Sequence, residues 1–144
     1  MSYNKNGANQ YKTMGIKTAN RGQILIMLYE AAIKHVKKAA ECVEKKDVVG
    51  KGSHIIKAHD IVNELANSLN FDVGGQIAQD LQRLYNFMVE QLIKANMENS
   101  KEPLLAVAKL LETLLDGWKQ AVDKFQKENA EALKSGGAEG SKSG

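Results

Sequence analysis

Apolar residues recur along this chain at steps of three and four, and no stretch shows the sustained alternation that a strand would need. In the first block, from about Arg21 to Lys45, Ile24, Leu28, Ala31, His35, Ala39 and Cys42 form one stripe. Leu25, Ala32, Val36 and Val43 widen it, and Glu30, Lys34, Lys37, Lys38, Glu41 and Lys45 fill the opposite side. Asn20, with Gln23 three residues on, has the form of a capping box. A second block runs from about Val48 to Ser68 with Asp47 as its cap, and its stripe is Ile55, Ala58, Val62, Leu65 and Leu69. Asn70 to Gly75 then reads as a turn in which glycine supplies a positive φ. The third block, Gln76 to Asn96, carries Ile77, Leu81, Leu84, Tyr85, Met88, Leu92 and Ala95. The fourth starts after Ser100, read as its cap. Pro103 falls in the first turn, where a missing N–H does no harm. It extends to about Gln126, or as far as Leu133, on a stripe of Leu104, Val107, Ala108, Leu111, Leu114, Leu115, Trp118, Val122 and Phe125.

At 1.5 Å per residue these blocks span roughly 30–38 Å each, and short turns join them. The pattern therefore predicts an all-α fold, an antiparallel up-down-up-down four-helix bundle over residues 19–128. Residues 1–18 are expected to form a flexible or loosely packed N-terminal arm, mostly polar but holding Tyr11, Met14 and Ile16. Residues 129–144 complete the last helix and end in a Gly/Ser tail expected to be disordered.

Composition narrows the class. With 144 residues, 43% apolar, the chain can build one real core, which excludes a wholly disordered protein. The single cysteine, Cys42, excludes a disulfide scaffold within the chain. The densest apolar run, Leu104 to Leu115, is broken by Lys109 and Glu112, so no membrane insertion is expected. A reduced thiol and the lack of a visible secretory signal point to the cytoplasm. The net charge of +3 gathers on the arm, through Lys5, Lys12 and Lys17, and leaves the body nearly neutral; its only two arginines are Arg21 and Arg83. Such a body is not built to bind nucleic acid.

Candidate chemistry is sparse. A di-iron bundle needs Glu-x-x-His on two helices, and the motif is absent. His54 and His59 are five apart, about 140° around a helix, whereas helical metal ligands favour i,i+4. Cys42 lies on an apolar stripe rather than in an electropositive, exposed setting. Gly74-Gly75 follows no strand and precedes no Lys-Ser or Lys-Thr, so it is no phosphate loop. No metal, cofactor or small-molecule substrate is expected, and the chain does not read as an enzyme. His35-Val36-Lys37-Lys38-Ala39 and His54-Ile55-Ile56-Lys57-Ala58 have the spacing of phosphorelay histidine-transfer bundles, which keeps a signalling bundle as an alternative.

What remains is apolar surface beyond the stripes. Leu25, Met27, Tyr29 and Ile33 on the first helix exceed a stripe of about 100°, as do Ile56 and Ile61 on the second and Phe87, Val89 and Ile93 on the third. Met27, Met88 and Met97 would suit an adaptable groove. The pattern favours an interaction module, a helical adaptor for another helix, over a catalyst.

Several stretches resemble the flagellin export chaperones of the FliS type. Thr18-Ala19-Asn20-Arg21 leads into Leu25-Ile26-Met27-Leu28-Tyr29-Glu30-Ala31-Ala32-Ile33, similar to the family's Thr-Ala-Ser-Pro followed by a Leu-Val-x-Met-Leu-Tyr-Asp-Gly-Ala-Ile run. Lys46-Asp47 leads to Ile55-Ile56-Lys57-Ala58-His59-Asp60-Ile61. Leu69-Asn70-Phe71-Asp72-Val73-Gly74-Gly75-Gln76-Ile77-Ala78-Gln79-Asp80-Leu81, with Leu84-Tyr85 after it, resembles the family's Gly-Gly turn. Leu92-Ile93-Lys94-Ala95-Asn96 and Trp118-Lys119-Gln120-Ala121 follow in the family's order. Departures are Asn20-Arg21 for Ser-Pro, Glu30 for Asp and Ala31 for Gly.

The resemblance covers roughly residues 9–125 and implies a cytoplasmic, non-catalytic chaperone. It would bind the unfolded C-terminal segment of flagellin, prevent early polymerisation, and deliver the subunit to the export gate of the flagellar type III secretion system. Joined to the apolar surplus, it predicts a client groove lined by Ile24, Met27, Leu28, Ile55, His59 and Val62. Tyr11, Met14 and Ile16 of the arm would cover that groove when it is empty.

Overall fold

A computed structural model describes the backbone of residues 21–143 and the side chains of residues 21–134. Four helices occupy it: α1 (Arg21–Glu44), α2 (Val48–Asn67), α3 (Phe71–Glu98) and α4 (Glu102–Ser143), with no strand among the described residues. The arm residues Tyr11, Met14 and Ile16 and the Asn20 cap lie outside the described residues.

Cross-helix contacts fix the directions. His35 of α1 meets His54 of α2, and Lys51 at the start of α2 reaches Asn96 and Asn99 at the end of α3. Lys101, just before α4, pairs with Glu44 at the end of α1 at 2.6 Å, and Lys37 pairs with Glu112 at 2.7 Å. Each helix therefore runs against its neighbours, and α4 closes on α1, as an up-down-up-down bundle requires.

The ends follow local chemistry. Asp47 caps α2, its carboxylate accepting from the Gly50 N–H at 3.0 Å. A Cβ on Gly50 would collide with that carboxylate and come within 2.9 Å of Cys42 Sγ, so the glycine is needed for the tight α1–α2 turn. Asn70 is a helix cap rather than part of an open turn, accepting from the N–H groups of Asp72 and Val73. One turn of α3 then precedes a break at Gly75, where φ is +52°. Pro103 is buried in the first turn of α4, as expected, but Ser100 does not cap it. Its hydroxyl donates to the Glu102 carboxylate at 2.8 Å, and Leu105 bonds back to the Lys101 carbonyl.

The buried stripes of α2, α3 and α4 fall largely where periodicity puts them. That of α1 does not. Its core residues are Tyr29, Ala32, Ile33, Val36, Ala39 and Ala40, whereas Ile24, Leu28, Ala31, His35 and Cys42 are only half-buried. The face is turned by about one residue, roughly 100°, from the expected stripe. Two large side chains at the centre account for the shift: the Tyr29 and Tyr85 hydroxyls meet at 2.5 Å inside the core, and Trp118 packs against the same cluster. Ile77 and Phe125, placed on stripes by spacing, are exposed.

α4 continues past the body of the bundle. Every residue from Lys127 to Lys134 is exposed, and helical backbone persists to Ser143, through the stretch that composition marks as a disordered tail. A helix needs only its own i→i−4 bonds, and the good helix formers between Ala130 and Lys134 carry it onward.

Candidate interaction surface

The bundle buries one continuous apolar core and leaves large apolar side chains exposed on several faces, among them Ile56 on α2, Ile93 and Met97 on α3, and Leu105 and Phe125 on α4. His54 touches α1, so the side of α2 about 140° further round, where His59 sits, faces away from α1. Gly52, Ile56, His59 and Asn63 follow one another along that side. Lys51 anchors its end to α3: the ammonium, only 4% exposed, donates to the Asn96 carbonyl at 3.0 Å and to the Asn99 side-chain oxygen. Asn99 holds a left-handed conformation (φ 52°, ψ 43°) that ends α3 and turns its amide oxygen to the lysine. A cation against these final carbonyls also suits the negative pole of the helix.

Across the seam, α3 presents Val89, Ile93 and Met97 at steps of four. Ile56 is 55% exposed, Ile93 49% and Met97 78%, while Val89 and His59 are half-buried. Apolar side chains are thus exposed on both of these neighbouring helices, which Lys51 ties together at one end. His59 is held by Asn63, whose amide donates to Nδ1 at 3.1 Å. A second exposed apolar strip, Ile77 and Phe87, lies on the other side of α3.

The six predicted groove residues do not line one trough. Ile55 and Val62 are 5% and 0% exposed and belong to the core, because steps of three and four from Lys51 to Leu65 mark the buried stripe of α2. Ile24 and Leu28 are half-buried on the flank of α1 that carries His35, and Met27 is half-buried beside them. His59, on the opposite flank of α2, is the one predicted residue on the α2–α3 side. Ile56, Val89, Ile93 and Met97 were recognisable as surplus apolar positions, whereas Tyr29, Ile33 and Met88 from the same set are core. Lys51 was missed, although a lysine four residues before Ile55 on an apolar stripe is a sequence signal of a buried, partnered ammonium.

No catalytic constellation accompanies this surface. Among the described residues no group of three or more His, Cys, Asp or Glu side chains could hold a metal ion, and no helix is long and apolar enough to cross a membrane. Cys42 lies near Asp47, and burial followed by that carboxylate pushes its thiol pKa up, away from the reactive thiolate. Of the two histidines that carry the phosphorelay spacing, His35 is half-buried against α2, and the two rings bond to each other through Nδ1 at 3.0 Å, which leaves each Nε2 outside that bond.

The described residues form an antiparallel four-helix bundle with apolar side chains left exposed on its surface. The family described as "Flagellar protein FliS" matches residues 4–125, and the chain belongs to that family. It is 30% identical over 124 residues to the flagellar secretion chaperone FliS of Bacillus subtilis (strain 168), covering 86% of this chain and 92% of the relative. It is 32% identical over 123 residues to the flagellar secretion chaperone FliS of Salmonella typhimurium, covering 82% and 91%. A solved structure described as a flagellar chaperone from bacteria superposes with a TM-score of 0.69 at 22% identity, over 81% of this chain and 97% of that one, which shows the fold. The family is one of flagellar secretion chaperones rather than of enzymes.

Proposed function

We propose that this chain binds the unfolded C-terminal segment of flagellin in the bacterial cytoplasm, prevents its premature polymerisation, and delivers it to the export gate of the flagellar type III secretion system. The observation that carries the reading is the exposed apolar surface on two neighbouring helices, Ile56 on α2 and Ile93 and Met97 on α3, with Val89 half-buried beside them. An amphipathic client helix can lay its i, i+3, i+4 anchors onto such a surface. Ordering an unfolded segment costs about 2–5 kcal/mol, so a long contact is needed to recover it. No bond is made or broken, and the nearly neutral body gives the client no reason to carry a particular charge. Tyr11, Met14 and Ile16 supply the apolar side chains for a cover that competes with the client.

Calorimetric titration with a flagellin C-terminal peptide tests the proposal. Ile56→Asp and Ile93→Asp each introduce a charge where the client would lie, and each is expected to cost at least about 2 kcal/mol, roughly 30-fold in Kd. Unchanged affinity in folded variants would remove the seam from the interface. Deleting residues 1–18 is expected to tighten binding; equal or weaker affinity would rule out the cover.

A further inference from the structure

We propose that His35 and His54 form a proton-sensitive clasp between α1 and α2, closed while at least one ring is neutral and opened when both rings carry a proton. The inference does not depend on which client the chain binds. The two Nδ1 atoms lie 3.0 Å apart, and the ring centroids are 5.3 Å apart with planes 29° from parallel, so the rings meet edge to edge through these nitrogens. An imidazole–imidazole hydrogen bond has room for one proton between its nitrogens, so one ring must donate Nδ1–H and the other accept. A second proton places two N–H groups and two positive charges face to face. The surroundings reinforce this repulsion: Lys34 and Lys38 of α1 and Lys57 of α2 stand near His35. Lys57 and Lys38 act on His54 in the same sense, against Asp47 and Glu41.

Burial first, then His54 and these lysines, holds the His35 pKa down to about 4 from 6.5, and burial also lowers that of His54. Both rings are therefore neutral at neutral pH. As pH falls below about 6.5, the unfolded chain takes up protons that the folded chain refuses, and stability drops until the folded rings themselves titrate, His35 at about 4. The same flank of α1 carries the half-buried Ile24 and Leu28, and α2 opposes it with Ile61. Opening the clasp exposes that apolar flank.

Ring ¹⁵N spectra of the full chain, recorded from about pH 8 to about pH 4, test the geometry. One of the two rings is expected in the Nδ1–H tautomer, with both midpoints below 6.5. Two Nε2–H rings titrating at ordinary values would overturn the clasp. Urea unfolding tests the linkage: the unfolding constant is expected to rise about tenfold or more between about pH 7 and pH 5, and to stay nearly flat in His35→Gln/His54→Gln. An equal rise in that variant would refute the assignment, and if the variant does not fold the ring spectra decide alone. Amide exchange along α1, corrected for its intrinsic pH dependence, is expected to quicken once both rings are charged. Unchanged protection there would show that the seam does not open.

Discussion

The Tyr29 hydroxyl lies 2.5 Å from the Tyr85 hydroxyl inside the core, joining α1 to α3 across the diagonal of the bundle. These helices run parallel and are not sequence neighbours, so the pair sets the rotation of α1 about its own axis. Burial raises both phenol pKa values. For Tyr29, Tyr85 and Trp118 partly offset the rise; for Tyr85, Tyr29 adds to it. Tyr85→Phe leaves the Tyr29 hydroxyl without this partner and is expected to cost about 1–3 kcal/mol in urea denaturation. Tyr29→Phe/Tyr85→Phe removes both polar groups and is expected to cost less than the sum of the single changes. In an alkaline absorbance titration, two of the tyrosines should resist ionisation above pH 10, and stability should fall there, because the unfolded phenols ionise while the folded ones do not.

Lys51 and Asn99 form a long-range polar tie between α2 and the end of α3. Lys51→Met keeps most of the buried stem but removes both hydrogen bonds, and a loss of about 1–3 kcal/mol is expected. Asn99→Gly keeps the positive φ that ends α3 and removes the side chain that carries the accepting oxygen while leaving the Asn96 carbonyl in place, so it should cost less, about 1 kcal/mol. If Asn99→Gly costs as much as Lys51→Met in equilibrium unfolding, the side-chain acceptor dominates over the Asn96 carbonyl.

The fold was legible because each helix has to hide a stripe, and steps of three and four in Ile55, Ala58, Val62 and Leu65, or in Leu104, Val107, Ala108 and Leu111, can mean little else. The rotation of α1 was not. Ile24, Leu28 and Ala31 make as regular a stripe as Tyr29, Ala32, Ile33 and Val36, and periodicity cannot rank two apolar faces on one helix. The distant Tyr85 and Trp118 decide between them. The candidate surface was half legible for the same reason: surplus positions can be counted, but which of them are surplus depends on that rotation. His35 and His54, nineteen apart, meet only because the α1–α2 turn brings them into register.

Two glycines in α3 and α4 should respond in opposite senses. Gly75 has φ +52° and ψ −123°, a region that L side chains rarely enter, so Gly75→Ala is expected to cost about 1–3 kcal/mol. Gly117 is helical, and a Cβ there would meet nothing within 4 Å. Gly117→Ala should raise stability by about 0.5–1 kcal/mol through helix propensity and a less flexible unfolded chain. Thermal unfolding of both variants checks the pair, and equal signs would contradict the backbone geometry.

Ile55 and Ile56 are adjacent in sequence and opposite in role, which gives a sharp separation of folding from binding. Ile55 is 5% exposed in the core, and Ile55→Ala should destabilise the bundle by about 2–4 kcal/mol by leaving a cavity. Ile56 is 55% exposed, and Ile56→Asp should shift stability by no more than about 0.5 kcal/mol, since the carboxylate stays in water. Under conditions where both variants are folded, the order should reverse for a flagellin C-terminal peptide: near-native affinity for Ile55→Ala and a loss of about 30-fold or more for Ile56→Asp. Paired urea and calorimetry experiments read both effects. If Ile55→Ala weakens the peptide as much as Ile56→Asp does, the client contacts a surface other than the α2–α3 seam.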